Sequence, residues 1–415
     1  MPKMMPNSMI KAYAQLGQAT DWIDHYRHKK PIFVGALGFT ETALIPGISA
    51  AGKTPEDRSR TAHADAEFLA NGVCDRVTYP LPPLIAGASP VMISRAIIQA
   101  LSIPSYLFNT GLPAPLSSSI ASDIFTSDVF TSDVFENKTV LPNTVARCVS
   151  TGQAMAFQRV EYLLACGMRI GAKLASTQSR LQCYFILGEC VVGGTTTALA
   201  TLLGLGIDAA GRVSSSHSAC NHDQKLQVVQ AGLAKFWASG FNPTDPDFPL
   251  RLLAAVGDPM QPFAAGFVIG ASPVCGVLLA GGTQMLAVYA LARSIALAQD
   301  LFWKPENVLV GTTRWVAEDP TGDTVGLAEK IGDVPLIATQ LNFTTSHLEA
   351  LRAYEHGFVK EGVGAGGCAI AGALYKNWDN DRMVHEIETL CLRLQASLQA
   401  DRRDKSWSSS AAIRL

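Results

Sequence analysis

Seven short apolar runs restrict what this chain can become: "PIFVGAL", "SYLFNTG", "QCYFILG", "RLLAAVG", "VCGVLLA", "NVLVGTT" and "VPLIATQLNF". Each has roughly the length of a strand and lacks polar alternation, so each reads as a strand buried on both faces. Most end in Gly, Asn or Thr, and helical patterns lie between many of them. Strands of this kind joined by helices build an α/β fold, a parallel sheet flanked by helices in a Rossmann-like large domain. Ligands of such sheets bind beyond the carboxyl ends of the strands. The polar residues that punctuate the runs are therefore where chemistry is expected.

A chain of 415 residues exceeds what one core usually serves. The expected division is a large nucleotide-binding α/β domain over 31–345 and a small helical domain from 1–30 plus 346–415. The N-terminal stretch to Lys30 is helix-like and carries Trp22, Ile23 and Tyr26. Ser346 and Glu349 form a capping-box pattern ahead of Leu351 and Tyr354. "DRMVHEIETLCLRLQASLQA" reads as an amphipathic helix and "DRRDKSWSSS" as a frayed tail. A five-residue repeat, "IFTSDVFTSDVF" from Ile124 to Phe135, reads as a surface loop or short insertion.

Only 16% of residues are charged and 48% are hydrophobic, which favours a large buried core. With 33 basic and 35 acidic residues, nothing marks nucleic acid or a membrane surface as partner. Pro259 to Ala292 holds no charge and is long enough to cross a bilayer. It breaks at "GASP" and "AGGTQ", so it reads instead as a buried helix, a turn, a strand and another helix. Nine cysteines without a C-x-x-C pair and no apolar leader fit a reduced, cytoplasmic protein.

"LGECVVGGTTTALATLLG", Leu187 to Gly204, resembles a phosphate loop without its lysine. Gly188, Gly193 and Thr195 fit G-x-x-x-x-G-K-[ST], but Gly194 stands at the lysine position. Strand, glycine turn and helix start together form an anion site: free N–H groups converge there and the helix dipole favours negative charge. Thr195 and Thr196 add hydroxyls. Without lysine the site suits one phosphate rather than a triphosphate. The competing reading is that the glycines only let strand and helix pack closely. Lys225 lies in the first turn of "NHDQKLQVVQAGLAKFW", capped by Asn221 with Gln224 three residues on. Leu226, Val229, Leu233 and Phe236 mark that helix's apolar face. A cation in a first turn opposes the dipole unless it meets an anion; a solvated lysine is the alternative.

Two glutamates stand in glycine-rich turns. Glu189 follows a strand directly. Glu361, in "VKEGVGAGGCAIAGALY", precedes Gly362, Gly364 and Gly367. That run fits G-x-G-x-x-G but follows a helix, which excludes a dinucleotide site. Buried beside an apolar ring, such a carboxylate acts as a general base near neutrality; on a surface it only favours a helix start. Thr40 and Glu41, after the first strand, are candidate substrate contacts or part of an ordinary connection. His217, Cys220 and His222 lie close together but match no standard zinc spacing, so no metal is expected.

"GECVVGGTTTA", "HDQK", "LLAGGTQMLAVYALA" and "KEGVGAGG" occur in that order. Together they resemble the nicotinate-nucleotide–dimethylbenzimidazole phosphoribosyltransferase family, over about Pro31 to Gly372. The long "TETALIPGISAAG…HADAEFL" stretch is similar to a divergent branch found in archaea and cyanobacteria. The resemblance implies transfer of phosphoribose from nicotinate mononucleotide to a base, dimethylbenzimidazole-like or adenine, in cobalamin lower-ligand synthesis. It implies no cofactor and a homodimer. It assigns the phosphate to Gly193, Gly194, Thr195, Thr196 and Lys225, the general base to Glu361 and a second acid to Glu189. Gly281, Gly282, Thr283, Gln284, Gly362 and Gly364 become substrate contacts. Cys190 and Val191 replace the family's Met-Gly, Gly194 replaces Asn, and "AGGTQ" replaces an acidic-glycine turn. The other function class is a nucleotide-binding or regulatory protein that keeps the pocket without turnover.

Overall fold

The computed structural model describes residues 3–4, 9–74, 77–82, 84, 86–116, 145–178 and 183–411. The repeat at Ile124–Phe135 lies outside them. Eight strands form one sheet: β1 Lys3–Met4, β2 Ile10–Ala14, β3 Ile32–Gly38, β4 Ser105–Gly111, β5 Tyr184–Cys190, β6 Gly276–Ala280, β7 Val308–Thr313 and β8 Leu336–Thr339. Their order is β1-β2-β8-β7-β6-β5-β3-β4. β3 to β8 run parallel, whereas β1 and β2 join antiparallel beside β8. The sheet is thus mixed at one edge, and Ile10–Ala14, expected as helix, is strand. Its Ile10 and Ala12 are buried while Lys11 and Tyr13 are only partly so, an alternation of period two that suits a strand with one face on the core.

Successive strand residues alternate between two cores, as the pleat requires. Phe185, Leu187, Val277, Leu279, Val308 and Val310 enter one. Tyr184, Ile186, Leu278, Ala280 and Leu309 enter the other. That is why these runs are apolar throughout. Both chain ends contribute to the second core. Trp22 of the helix Leu16–Tyr26 meets Tyr184 of β5 edge-on, with ring centroids 5.1 Å apart. The helices Ala365–Lys376 and Asn380–Ala411 bury Ile370, Leu374, Met383 and Ile387 there. The last helix runs through the stretch expected to fray. The division at residues 30 and 345 remains a proposal for limited proteolysis.

"RLLAAVG" is not a strand but part of the helix Phe248–Val256. Pro249 in its first turn and a body of Leu and Ala favour helix. A short apolar run does not distinguish the two states by periodicity. The uncharged segment folds as expected: helix Met260–Ala271, β6, then helix Thr283–Ala298. Among the described residues no helix is long and apolar enough to cross a membrane.

Two helices meet with their backbones almost touching. Gly167 and Gly171 lie on the helix Phe157–Gln178, and Gly266 and Gly270 on Met260–Ala271. A Cβ on Gly167 would come 2.1 Å from the Phe263 carbonyl oxygen, and one on Gly270 2.1 Å from that of Met168. Each helix thus presents small-x-x-x-small spacing to the other, which lets main chains approach without side chains between them.

Candidate active site

The chain passes from β3 to β4 on one side and returns to β5 on the other. This reversal creates a crevice at the carboxyl ends of the strands. A cavity opens there, walled by the segments that follow the strands. The wall includes Ser49 to Ala51 after β3, Glu189 to Thr195 around the end of β5, Gly282 to Gln284 after β6, and Phe358 to Val363 after β8. Ser216 ties three segments: its hydroxyl meets that of Ser49 at 3.2 Å and accepts from the Ala50 N–H, and its carbonyl accepts from Val359 N–H.

Gly193 has φ +83, a left-handed turn that glycine adopts without strain, and the helix Gly194–Gly204 begins after it. Gly194 N–H donates to the Val191 carbonyl. Among the described residues the N–H groups of Gly193 and Thr195 meet no protein acceptor, and the buried Thr196 hydroxyl has no partner. Unused donors at a helix mouth attract an anion. The helix is held from behind, where the Thr197 hydroxyl donates to Asp258. Lys225 is fully buried on the helix His222–Ala238, and its Nζ donates to the Ser214 carbonyl at 2.6 Å. It therefore lies behind the serine wall rather than on the cavity surface, with no carboxylate in ion-pair contact among the described residues. Burial lowers its pKa to about 8, and the Lys360 charge adds to the fall. Asn221 is the N-cap residue but forms no side-chain cap; its amide donates to the Gly47 and Ile48 carbonyls and steadies the loop after β3.

The two glutamates share the cavity. Glu189 accepts from Val191 N–H at 3.0 Å and from Gln284 Nε2 at 2.8 Å. Burial raises its pKa to about 8, with the charges of Asp258 and Glu361 adding to the rise. Glu361 accepts four bonds: from Gly362 and Gly366 N–H at one oxygen, from the Thr312 hydroxyl and Thr313 N–H at the other. Burial lifts it to about 7, against those donors, which stabilise the ionised form. The two segments are linked directly, because Val363 N–H donates to the Glu189 carbonyl at 3.0 Å.

The turn bearing Glu361 is strained. Val359, Lys360 and Val363 have φ of 68, 66 and 54, left-handed values costly for β-branched valine. Each costs on the order of 1–3 kcal/mol and persists because its surroundings fix it. Lys360 is 1% exposed and pairs with Asp319 at 2.5 Å, and its carbonyl accepts from the Thr313 hydroxyl. Burial raises the Asp319 carboxyl, but Lys360 and the two Thr321 donors together outweigh this and leave it below its ordinary value.

Of the expected residues, Glu189, Glu361, Gly193, Gly194, Thr195, Gly282, Thr283, Gln284 and Gly362 line the cavity. Lys225 and Thr196 lie buried behind it. Gly281 packs on Met285, and Gly364 on Phe33 and Gly188. Thr40 is buried and bonds to Thr42 and the Arg147 carbonyl, while Glu41 accepts from Cys148 N–H; neither reaches the cavity wall. His217, Cys220 and His222 turn to separate partners: the Gly47 carbonyl, Asp319 and the Thr321 carbonyl. The Ser346–Glu349 capping box does not form, since Ser346 bonds Glu388 and the helix starts after Leu348. Sequence reasoning passed over Lys360, although it adjoins Glu361, and over Asp65 and the serines 214–216. Asp65 lies within the quoted "HADAEFL" stretch, but in a helix far from the other motifs in sequence, where nothing local marks it as facing the cavity.

Glu189→Gln is expected to stabilise the ligand-free protein as pH rises. The folded carboxyl keeps its proton to about 8 against an ordinary value of 4.5, so the parent loses stability as pH climbs between them. The glutamine variant has no such loss. Melts near about pH 5 and about pH 8 should give a Tm difference that grows with pH; a difference independent of pH would contradict the proton's location.

The cavity sits at the switch point of an α/β sheet and is lined by a free anion turn and two carboxyls of raised pKa. A family model described as a phosphoribosyltransferase matches residues 117–304. This defines the class: a transferase acting on phosphoribosyl groups. The chain is 54% identical to the UPF0284 protein of Trichodesmium erythraeum over 92% of its length and 98% of the relative's. It is 52% identical to a UPF0284 protein of Nostoc sp., covering 93% of this chain and 99% of that one. The chain belongs to the UPF0284 family. These relatives are cyanobacterial, and none of them supports the archaeal part of the expectation. Among solved structures, CobT from Thermus thermophilus shares the fold with a TM-score of 0.55 at 16% identity, over 89% of this chain and 90% of that one. A nicotinate-nucleotide–dimethylbenzimidazole phosphoribosyltransferase structure from the same organism gives 0.53 at the same identity and coverage.

Proposed function

We propose that this cavity moves phosphoribose from nicotinate mononucleotide to a ring nitrogen of a heteroaromatic base. One observation carries the reading: the turn with unused amides and the Glu361 carboxylate line the same cavity, with Glu189 in the same wall. The turn at Gly193–Thr195 suits a single phosphate, and Lys225, buried behind the serine wall, supplies a positive charge to the cavity. The bond from the ribose anomeric carbon to the pyridinium nitrogen breaks, and its electron pair stays on that nitrogen as nicotinate leaves. The lone pair of the acceptor nitrogen forms the new bond, and the acceptor's N–H proton passes to Glu361. The leaving group is already cationic, so alignment and a base supply most of the help. Glu189, holding its proton at neutral pH, sets no second negative charge beside the phosphate.

Two carboxyls with separated environments give acid and base roles. Glu361 must be ionised, so activity rises through about 7; Glu189 must be protonated, so activity falls through about 8. The expected kcat/KM profile is a bell with its optimum between these values. The assay is nicotinate release from nicotinate mononucleotide with a panel of bases, followed against pH. Donor binding without release for any base would instead favour a nucleotide-binding protein without turnover. The same reading extends to cobalamin lower-ligand synthesis, a homodimer and a cytoplasmic location.

A further inference from the structure

Asp65 is a third carboxyl in the cavity wall and takes no part in the chemistry above. It projects from the helix Pro55–Asn71 and is 2% exposed. One oxygen accepts from the Ser89 hydroxyl at 2.9 Å and the other from the Cys190 thiol at 3.3 Å. Other buried acids here are better supplied. Glu361 has four donors, and Asp258 has the Thr197 hydroxyl with Met260 and Gln261 N–H. Glu67 holds the N–H groups of Thr78 and Tyr79. Asp65 has one hydroxyl and one weak thiol donor, no backbone N–H, and no ion pair among the described residues. A carboxylate has room for about four donors. A buried polar group left short of partners costs free energy unless a ligand completes it.

The location of Asp65 says which part of a ligand it meets. Its thiol partner adjoins Glu189. Its hydroxyl partner adjoins Pro90, which lies 3.3 Å from where a Cβ on Gly362 would be, so the acid belongs to the Glu361 side of the cavity. Leu84, Ala86 and Pro90 line the same wall and offer an apolar surface for a flat ring. The free N–H groups of Gly193 and Thr195 stand instead at the mouth of the helix Gly194–Gly204, which packs in the other core. We propose that Asp65 determines acceptor specificity by receiving a hydrogen bond from a donor on the base other than the nitrogen that is ribosylated, so that amino-substituted bases are preferred over alkyl-substituted ones. This rests on the transferase reading above and names the acceptor class that the reading leaves open.

The test compares kcat/KM for adenine, purine, hypoxanthine and dimethylbenzimidazole at saturating nicotinate mononucleotide, in the parent and in Asp65→Asn. The parent is expected to favour adenine, with its exocyclic amine, over purine, which lacks it, by about tenfold or more. Asparagine retains an acceptor for Ser89 or Cys190 and brings an amide donor. The variant should lose the adenine preference and gain on hypoxanthine, whose oxo group accepts. Ratios between bases within one enzyme do not depend on the fraction folded, and the parent's ratio stands even where the variant fails to fold. Equal use of adenine and purine by the parent, or an unchanged ratio in the variant, overturns the role of Asp65 and leaves the transferase intact. Absence of nicotinate release with every base overturns the transferase reading.

Discussion

Glu361→Gln should release nicotinate about 10²–10⁴-fold more slowly than the parent while binding the donor nearly as well. The loss follows from removing the base that takes the acceptor's proton. The magnitude belongs to general-base catalysis, since the pyridinium leaves without protonation. The substitution has a second consequence. Both oxygens of Glu361 accept two bonds each, so a glutamine must aim its NH₂ at a pair of donors. That local mismatch should lower Tm modestly, because two acceptor positions are lost. Calorimetric titration with nicotinate mononucleotide separates the roles. Retained donor affinity with lost turnover marks a base. Lost affinity marks a residue that mainly holds the strained turn together, and turnover within about threefold of the parent would remove Glu361 from the chemistry.

Gly167→Val is expected to prevent stable folding. Its Cβ would meet the Phe263 carbonyl oxygen at 2.1 Å and the Phe267 nitrogen at 2.8 Å, both backbone atoms that no rotamer change can move. The helix Phe157–Gln178 would have to move away from Met260–Ala271, opening the buried layer around Leu164, Phe263 and Phe267. Overpacking that forces backbone shifts costs about 1–3 kcal/mol or more per site. Two further methyl groups and the loss of paired backbone contact carry this above about 4 kcal/mol, a large share of a typical domain's stability. Circular dichroism melts of the soluble fraction measure it. A parent-like Tm would mean that the helices are not in backbone contact. Gly206→Val is the control: nothing lies within 4 Å of its Cβ, so that change carries only the strain of φ +80.

The strands were legible because two-sided burial writes itself as uninterrupted apolar runs, and the end of β5 because a glycine turn must follow it. "RLLAAVG" failed for the converse reason. A short helix buried on most of its surface has the same composition as a buried strand, and only Pro249 marked the difference. β2 was hidden because a strand of only five residues, with Lys11 and Tyr13 partly exposed, shows weak pattern. In the site, Glu189, Glu361 and the glycine turn were visible as polar or flexible residues at element ends. Thr40 and Glu41 looked equivalent by that criterion. The loop after β3 instead turns them toward Arg147 and Cys148, a tertiary choice that no local pattern records. Asp65 and Lys360 acquire meaning only when distant segments meet.

The sheet also divides the site by ancestry of support. The helices Gly194–Gly204 and His222–Ala238, which carry the phosphate turn and Lys225, root in the core that holds Phe185 and Leu187. The helices Pro55–Asn71, Val91–Ala100 and Ala365–Lys376, which carry or adjoin Asp65, Ser89 and the Glu361 turn, root in the core that holds Tyr184 and Ile186. On the proposed reaction, a lineage can therefore retool its choice of nucleobase by exchanging residues on one layer while the donor grip, anchored in the other, is inherited unchanged.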